Sequence, residues 1–232
     1  MDDLKSKVYK RFDYVPDSSE LFILLPHRGG KLYHGDRLSK KLNSKGSSFL
    51  TYQIPEEILS ADAENTIRSF EEVNNQIVSN IEELTGRYSF SKFHLIGASL
   101  GCVNAAMVSS EYPVFDKIDL IVPGNSLAES MWNGRKTQDL RKEFEEKGIT
   151  LEWLDEAWRN LSPENNLSGF RNSNNRIFLS RADKIIPYEN GMKLVEKMRE
   201  EGIEAKIKDN LPLGHKITLF RFYTFPELFL NF

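Results

Sequence analysis

A serine with glycine two places away on either side lies near the middle of the chain, in Gly97-Ala98-Ser99-Leu100-Gly101. The apolar run Phe93-His94-Leu95-Ile96 before it is too short for a helix, and the small-residue segment Cys102 to Val108 after it has helical character. Strand, tight turn and helix in that order display a serine hydroxyl on a sharp bend, where side chains at 97 and 101 would collide with passing chain. The first N–H groups of the following helix have no intrahelical partner, so the Leu100 N–H is placed to hold an oxyanion. The pattern predicts a nucleophile, Ser99, and half of an oxyanion hole.

A serine hydroxyl needs a base to take its proton, and the base needs an acid to orient it. Four histidines are available. His94 falls within the strand leading to the turn, where its ring cannot readily face Ser99, and is expected to be structural. His27 and His34 precede the nucleophile, and His27 lies in a loop better suited to offering a backbone N–H. His215, beside Gly214 after the final predicted strand, is expected to reach Ser99 from a flexible loop. Asp183 follows the next-to-last predicted strand and is the favoured acid. Asp209, crowded against His215, and Glu189, inside a helix, are weaker candidates, and the competing role for Asp183 is that of a turn aspartate.

Positioning these groups requires strand ends that meet along one edge. The chain supplies predicted strands at Val8 to Tyr14, Leu21 to Leu25, Ser48 to Ile54, up to Ala98, Lys117 to Val122, Arg176 to Ser180 and Ile203 to Lys208. Predicted helices alternate with them: Asp36 to Lys45, a long one capped by Asp62 and ended by Gly86, one reaching about Tyr112, and Glu189 to Glu201. This is a mostly parallel α/β sheet with helices on both faces. Between Asn125 and Ser173 the alternation pauses for helical stretches at Thr137 to Lys147 and after Thr150. Residues 125–173 therefore read either as a connection packed on the sheet or as a small helical cap over the site, within one domain spanning 1–232.

At this point the chain resembles the α/β-hydrolase family, from Leu21 to about Leu219. The resemblance rests on Gly97-Ala98-Ser99-Leu100-Gly101, on Asp183 in a strand-Asp-x-x-x-Pro context and on Gly214-His215. It implies an α/β-hydrolase fold with nucleophile, acid and histidine in that chain order. Leu24-Leu25-Pro26-His27-Arg28-Gly29-Gly30 is similar to the family's His-Gly-x loop, which implies that Arg28 gives the second oxyanion N–H. Pro26-His27 stands where His-Gly is usual, and this leaves the donor open between Arg28 and Gly29. The Arg28 side chain either faces the pocket, favouring an acidic substrate group, or is solvated. The implied activity is hydrolysis of a carboxylic ester or thioester of a small-molecule substrate through an acyl-enzyme. Peptide or amide hydrolysis, acyl transfer to another acceptor, and a binding module without turnover are the alternatives.

Composition narrows the partners. A net charge of -3 gives no field that draws nucleic acid. One cysteine permits no internal disulfide and no thiolate metal spacing, so neither metal nor cofactor is expected. The first residues, Met1 to Lys7, carry no apolar segment, no stretch suffices to span a bilayer, and a cytoplasmic location is expected. The aromatic tail from Leu219 to Phe232 is expected to pack on the sheet, with homodimerisation or lipid docking as its other uses.

Overall fold

The computed structural model describes residues 8–211 and 213–230. Seven strands form one sheet in the order β1-β3-β2-β4-β5-β6-β7. They are β1 (Lys10–Asp13), β2 (Glu20–Leu25), β3 (Ser48–Tyr52), β4 (Lys92–Ala98), β5 (Lys117–Ile121), β6 (Asn174–Ser180) and β7 (Ala205–Leu211). Only the edge strand β1 pairs antiparallel, with β3; every other pairing is parallel.

Apolar runs became strands buried on both faces because alternate side chains feed two separate cores. Leu21, Ile23 and Leu25 of β2 point into one, and Phe22 and Leu24 into the other. The larger core is completed by α2 (Ala63–Arg87), α3 (Gly101–Glu111) and α7 (Tyr188–Glu200). The smaller one is completed by α1 (Asp36–Asn43) and the C-terminal segment. Asp62 caps α2 by accepting from the Asn65 N–H at 2.8 Å, as expected. Gly86 does not end that helix, which runs one residue further to Arg87. The cost of a helical glycine, about 1 kcal/mol, is small beside the apolar face that α2 buries.

Residues 125–173 contain α4 (Leu127–Asn133), α5 (Gln138–Glu146), α6 (Leu151–Ala157) and three short 3-10 turns. Thr150 caps α6 through the Trp153 N–H. Trp158 is fully buried, crosses the Phe144 ring edge-on and donates its Nε1–H to Ala63 O at 3.1 Å, which fastens this part to the start of α2.

The tail divides. Leu219, Phe222, Phe229 and Leu230 are buried in the smaller core, with Phe229 against Phe178 and Phe222, whereas Phe220, Phe225 and Leu228 face solvent. Asn231 and Phe232, like Met1 to Lys7, lie outside the described residues. No helix among the described residues is long and apolar enough to cross a membrane.

Candidate active site

Ser99 follows β4 directly and takes φ +54°, the left-handed region that a non-glycine residue adopts only where its surroundings enforce it. Its N–H donates to Ile121 O at the end of β5 (2.8 Å), and its carbonyl accepts from the Cys102 N–H (2.8 Å). The glycines have a geometric reason. A Cβ at 101 would lie 2.1 Å from Leu25 O, and one at 97 would lie 2.8 Å from the Cys102 Cα. The turn can therefore sit against β2 and α3 only without side chains at those positions.

Asp183 comes three residues after the end of β6. One carboxylate oxygen, Oδ1, accepts from the N–H groups of Ile185 and Ile186 at 2.9 and 3.0 Å, which fixes the plane of the group. The other, Oδ2, lies 2.6 Å from Nδ1 of His215, whose Nε2 lies 2.8 Å from Ser99 Oγ. Asp183 and His215 are 8% and 5% exposed, so this relay is shielded from competing water. The turn role and the histidine-partner role foreseen for Asp183 are thus filled by different oxygens of the same carboxylate.

His215 does not sit in a flexible loop. It is the first residue of α8 (His215–Thr224), with Gly214 as N-cap and the Gly214 carbonyl accepting from Ile217 and Thr218. The Gly214 signal for a turn was also a signal for a helix start. Asp209, a weaker acid candidate, is occupied elsewhere by Arg181 (2.6 Å) and the Tyr188 hydroxyl (3.1 Å). Glu189 lies in the first turn of α7, as expected. The His94 ring stacks on Phe22 at 4.2 Å, and both its nitrogens are buried without a partner among the described residues. Burial lowers its pKa, consistent with a neutral structural histidine.

The loop after β2 turns at His27–Gly30, closed by the Gly30 N–H on His27 O (2.8 Å) with Gly29 at φ +70°. The N–H groups of Leu100, Arg28 and Gly29 have no acceptor among the described residues. Both candidates for the second oxyanion donor therefore remain available. His27 is used differently from expectation: its N–H reaches the Tyr223 hydroxyl (3.4 Å), and its Nδ1 lies 2.9 Å from the same oxygen. Tyr223 is a site residue that sequence reasoning missed; it was one aromatic among many in the tail. Burial raises the Tyr223 pKa, so the phenol keeps its proton beside the His27 ring. Burial, then the neighbouring His34 and His215, push the His27 pKa down to about 4.

These elements border a cleft of about 930 Å³ that reaches Ser99, Leu100 and His215. Residues 125–173 contribute Leu127, Ser130, Met131, Lys136 and Thr137 to its wall. Trp132 instead lies under the Arg141 guanidinium, and Trp153 is exposed. Cys102, fully buried with its thiol pKa raised by that burial, offers no rival nucleophile. No group of three or more His, Cys, Asp or Glu residues among the described residues could hold a metal ion.

The sequence matches no protein-family model and no curated protein. Solved structures do match over nearly the whole chain. The monoacylglycerol lipase of Paleococcus ferrophilus superposes at a TM-score of 0.59 with 15% identity, covering 94% of this chain and 98% of its own. A structure from a study of Nitrososphaera gargenis carboxylesterases gives 0.60 and 14%, covering 97% and 93%. The acylaminoacyl peptidase of Pyrococcus horikoshii gives 0.71 and 14%, covering 97% of this chain but 39% of the longer one. The strand order, the turn at the end of β4, fourth both along the chain and across the sheet, and these likenesses together make this an α/β-hydrolase fold.

Proposed function

We propose that the protein is a serine hydrolase that cleaves a carboxylic ester or thioester. The observation that carries this reading is the single imidazole of His215 lying within hydrogen-bond reach of both Ser99 Oγ (2.8 Å) and Asp183 (2.6 Å). The fold shared with lipases and carboxylesterases adds to it.

In this mechanism Ser99 Oγ attacks the substrate carbonyl while His215 Nε2 takes its proton. Asp183 holds Nδ1–H and stabilises the imidazolium that forms. The tetrahedral oxyanion is held by the Leu100 N–H and by that of Arg28 or Gly29, all three without an acceptor among the described residues. The imidazolium returns its proton to the leaving oxygen or sulfur, which departs and leaves an acyl group on Ser99. Water, deprotonated by His215, then attacks the acyl carbonyl; the intermediate collapses with cleavage of the bond to Ser99 Oγ, which takes the proton back from His215 as the acid is freed. No metal or redox group is needed for any of these steps. Residues 125–173 act as a partial cap, in that Leu127 and Met131 give an acyl chain apolar wall near Ser99.

The test is a series of 4-nitrophenyl esters from acetyl to dodecanoyl, run on the wild type and on Ser99→Ala with fluorophosphonate labelling alongside. Turnover and labelling should both disappear in the variant. Labelling without ester turnover would redirect the reading to amides or to a different acyl acceptor, and an N-acyl anilide run in parallel separates these. A folded protein with neither signal would refute it.

A further inference from the structure

Bond cleavage by Ser99 does not account for the charges around it. The chain holds 34 acidic against 31 basic residues, yet among the described residues the cleft wall carries Arg28, Arg37, Lys136 and Lys216 against one carboxylate, Glu56. Three of these cations come from separate parts of the chain: Arg28 from the loop after β2, Lys136 from the turn after α4, and Lys216 from the residue following His215. Such convergence on one cleft focuses positive potential where an acyl group must enter.

Arg28 is the least ordinary of them. Its half-buried side chain is held by backbone carbonyls, Nε–H on Glu56 O at 2.7 Å and Nη2–H towards Leu59 O at 3.5 Å. Carbonyl oxygens orient a guanidinium without neutralising it, and no carboxylate lies within ion-pair distance of Arg28 among the described residues. Burial disfavours the charge, and only the more distant Glu56 and Glu57 offset this. The Nη1 edge of the fork has no protein partner among the described residues. Lys136 and Lys216 are exposed and likewise have no ion pair among the described residues. Arg37 is less free, because its Nη1–H donates to Thr224 O and Glu227 lies close by. A half-buried, oriented cation without an ion-pair partner among the described residues, lining the same cleft as Ser99, is a place for an anion that arrives with the substrate.

We infer that the cleft selects esters bearing a second, anionic group, a carboxylate or a phosphate, which Arg28 holds with Lys136 and Lys216 in support. The inference rests on the ester-hydrolase reading and gives it a substrate class.

The test compares mono-4-nitrophenyl glutarate with 4-nitrophenyl valerate, which match in acyl length and differ in the terminal carboxylate. A phosphate-terminated ester of the same length forms a third arm and identifies which anion is preferred. The readout is the ratio of kcat/KM, anionic over neutral, within each protein, so any loss of overall activity cancels. In the wild type the ratio should be about tenfold or more, equivalent to about 1.4 kcal/mol. It should fall several-fold in Arg28→Gln, in the Lys136→Gln, Lys216→Gln double variant, and in the wild type at about 0.5 M salt, where screening shortens the reach of exposed charges. A wild-type ratio of one or less for both anionic esters, or a ratio unmoved in both variants, overturns the inference while leaving the esterase reading intact. If the wild type turns over no ester, that reading fails separately. Calorimetry with glutarate and with inorganic phosphate then decides: binding that weakens in Arg28→Gln keeps the anion site, and no binding to either removes it.

Discussion

The two sides of the cleft are built on different principles. On the floor, Ser99, His215 and Asp183 are held by backbone that has no slack: a positive φ at Ser99, a Leu25 carbonyl 2.1 Å from where a Gly101 Cβ would be, and two N–H bonds on one carboxylate oxygen. On the wall, Lys136, Lys216 and Phe220 are exposed, and Phe220 is 64% accessible. Under the proposed function, rigid support would lie where bonds are made and broken and a tolerant rim where molecules are chosen, so that selectivity could drift without disturbing the chemistry.

That contrast can be broken from the floor first. Ser99→Ala should lower kcat by about 10⁶ with the melting temperature nearly unchanged, read by ester turnover and calorimetry. Asp183→Asn should lower kcat by about 10⁴, since the amide oxygen can still accept from Ile185 and Ile186 while the imidazolium loses its counter-charge. A loss under tenfold would remove Asp183 from the relay. Gly101→Ala should cost about 3 kcal/mol of stability in denaturant titrations, because β2 or α3 must move to admit the methyl group.

Tyr223→Phe lies between floor and wall. It leaves the His27 Nδ1 without its hydrogen-bond partner, and a cost of about 1 to 2 kcal/mol is expected in the same titration. The smallest effect concerns pH. His27 is held neutral to about pH 4 in the fold, while an unfolded chain takes up that proton near its ordinary value of about 6.5. Between these values the unfolded state binds more protons, so stability rises with pH across the window and is lost as pH falls through it. His34, whose pKa is also lowered by burial, acts in the same direction. Melting curves from pH 4 to 7 should therefore be flatter for His27→Gln than for the wild type; equal slopes would contradict the buried, neutral imidazole.

Sequence reading reached the floor better than the wall, for a physical reason. Gly97, Ser99 and Gly101 stand at a change from strand to helix, Asp183 stands just beyond an apolar run and Gly214-His215 beyond the last predicted strand, so their type and place are written locally. The expected alternation of strands and helices was recovered with ends shifted by a few residues; β7, for example, begins at Ala205 and extends to Leu211. Gly86 misled because a local breaker lost to the packing of a whole helix face. The wall left no such trace. Tyr223 meets His27 across 196 residues, and Arg28 is oriented by carbonyl groups at Glu56 and Leu59 that no side-chain pattern reports. Exposed lysines such as Lys136 have no periodicity that separates a solvated charge from one aimed into a cleft. Met131, Trp132 and Trp153 looked alike in sequence and went to three different environments.

The start of α8 at His215 also sets a timetable. As the chain emerges in order, a nascent polypeptide that has reached β7 holds Ser99 and Asp183 but no imidazole for either. The last piece must then close contacts of 116 residues to Ser99 and 196 residues to His27, separations that make it a late step in folding. On the proposed mechanism the hydroxyl would stay an unactivated alcohol until α8 docks, so that in refolding experiments recovered turnover should report completion rather than collapse.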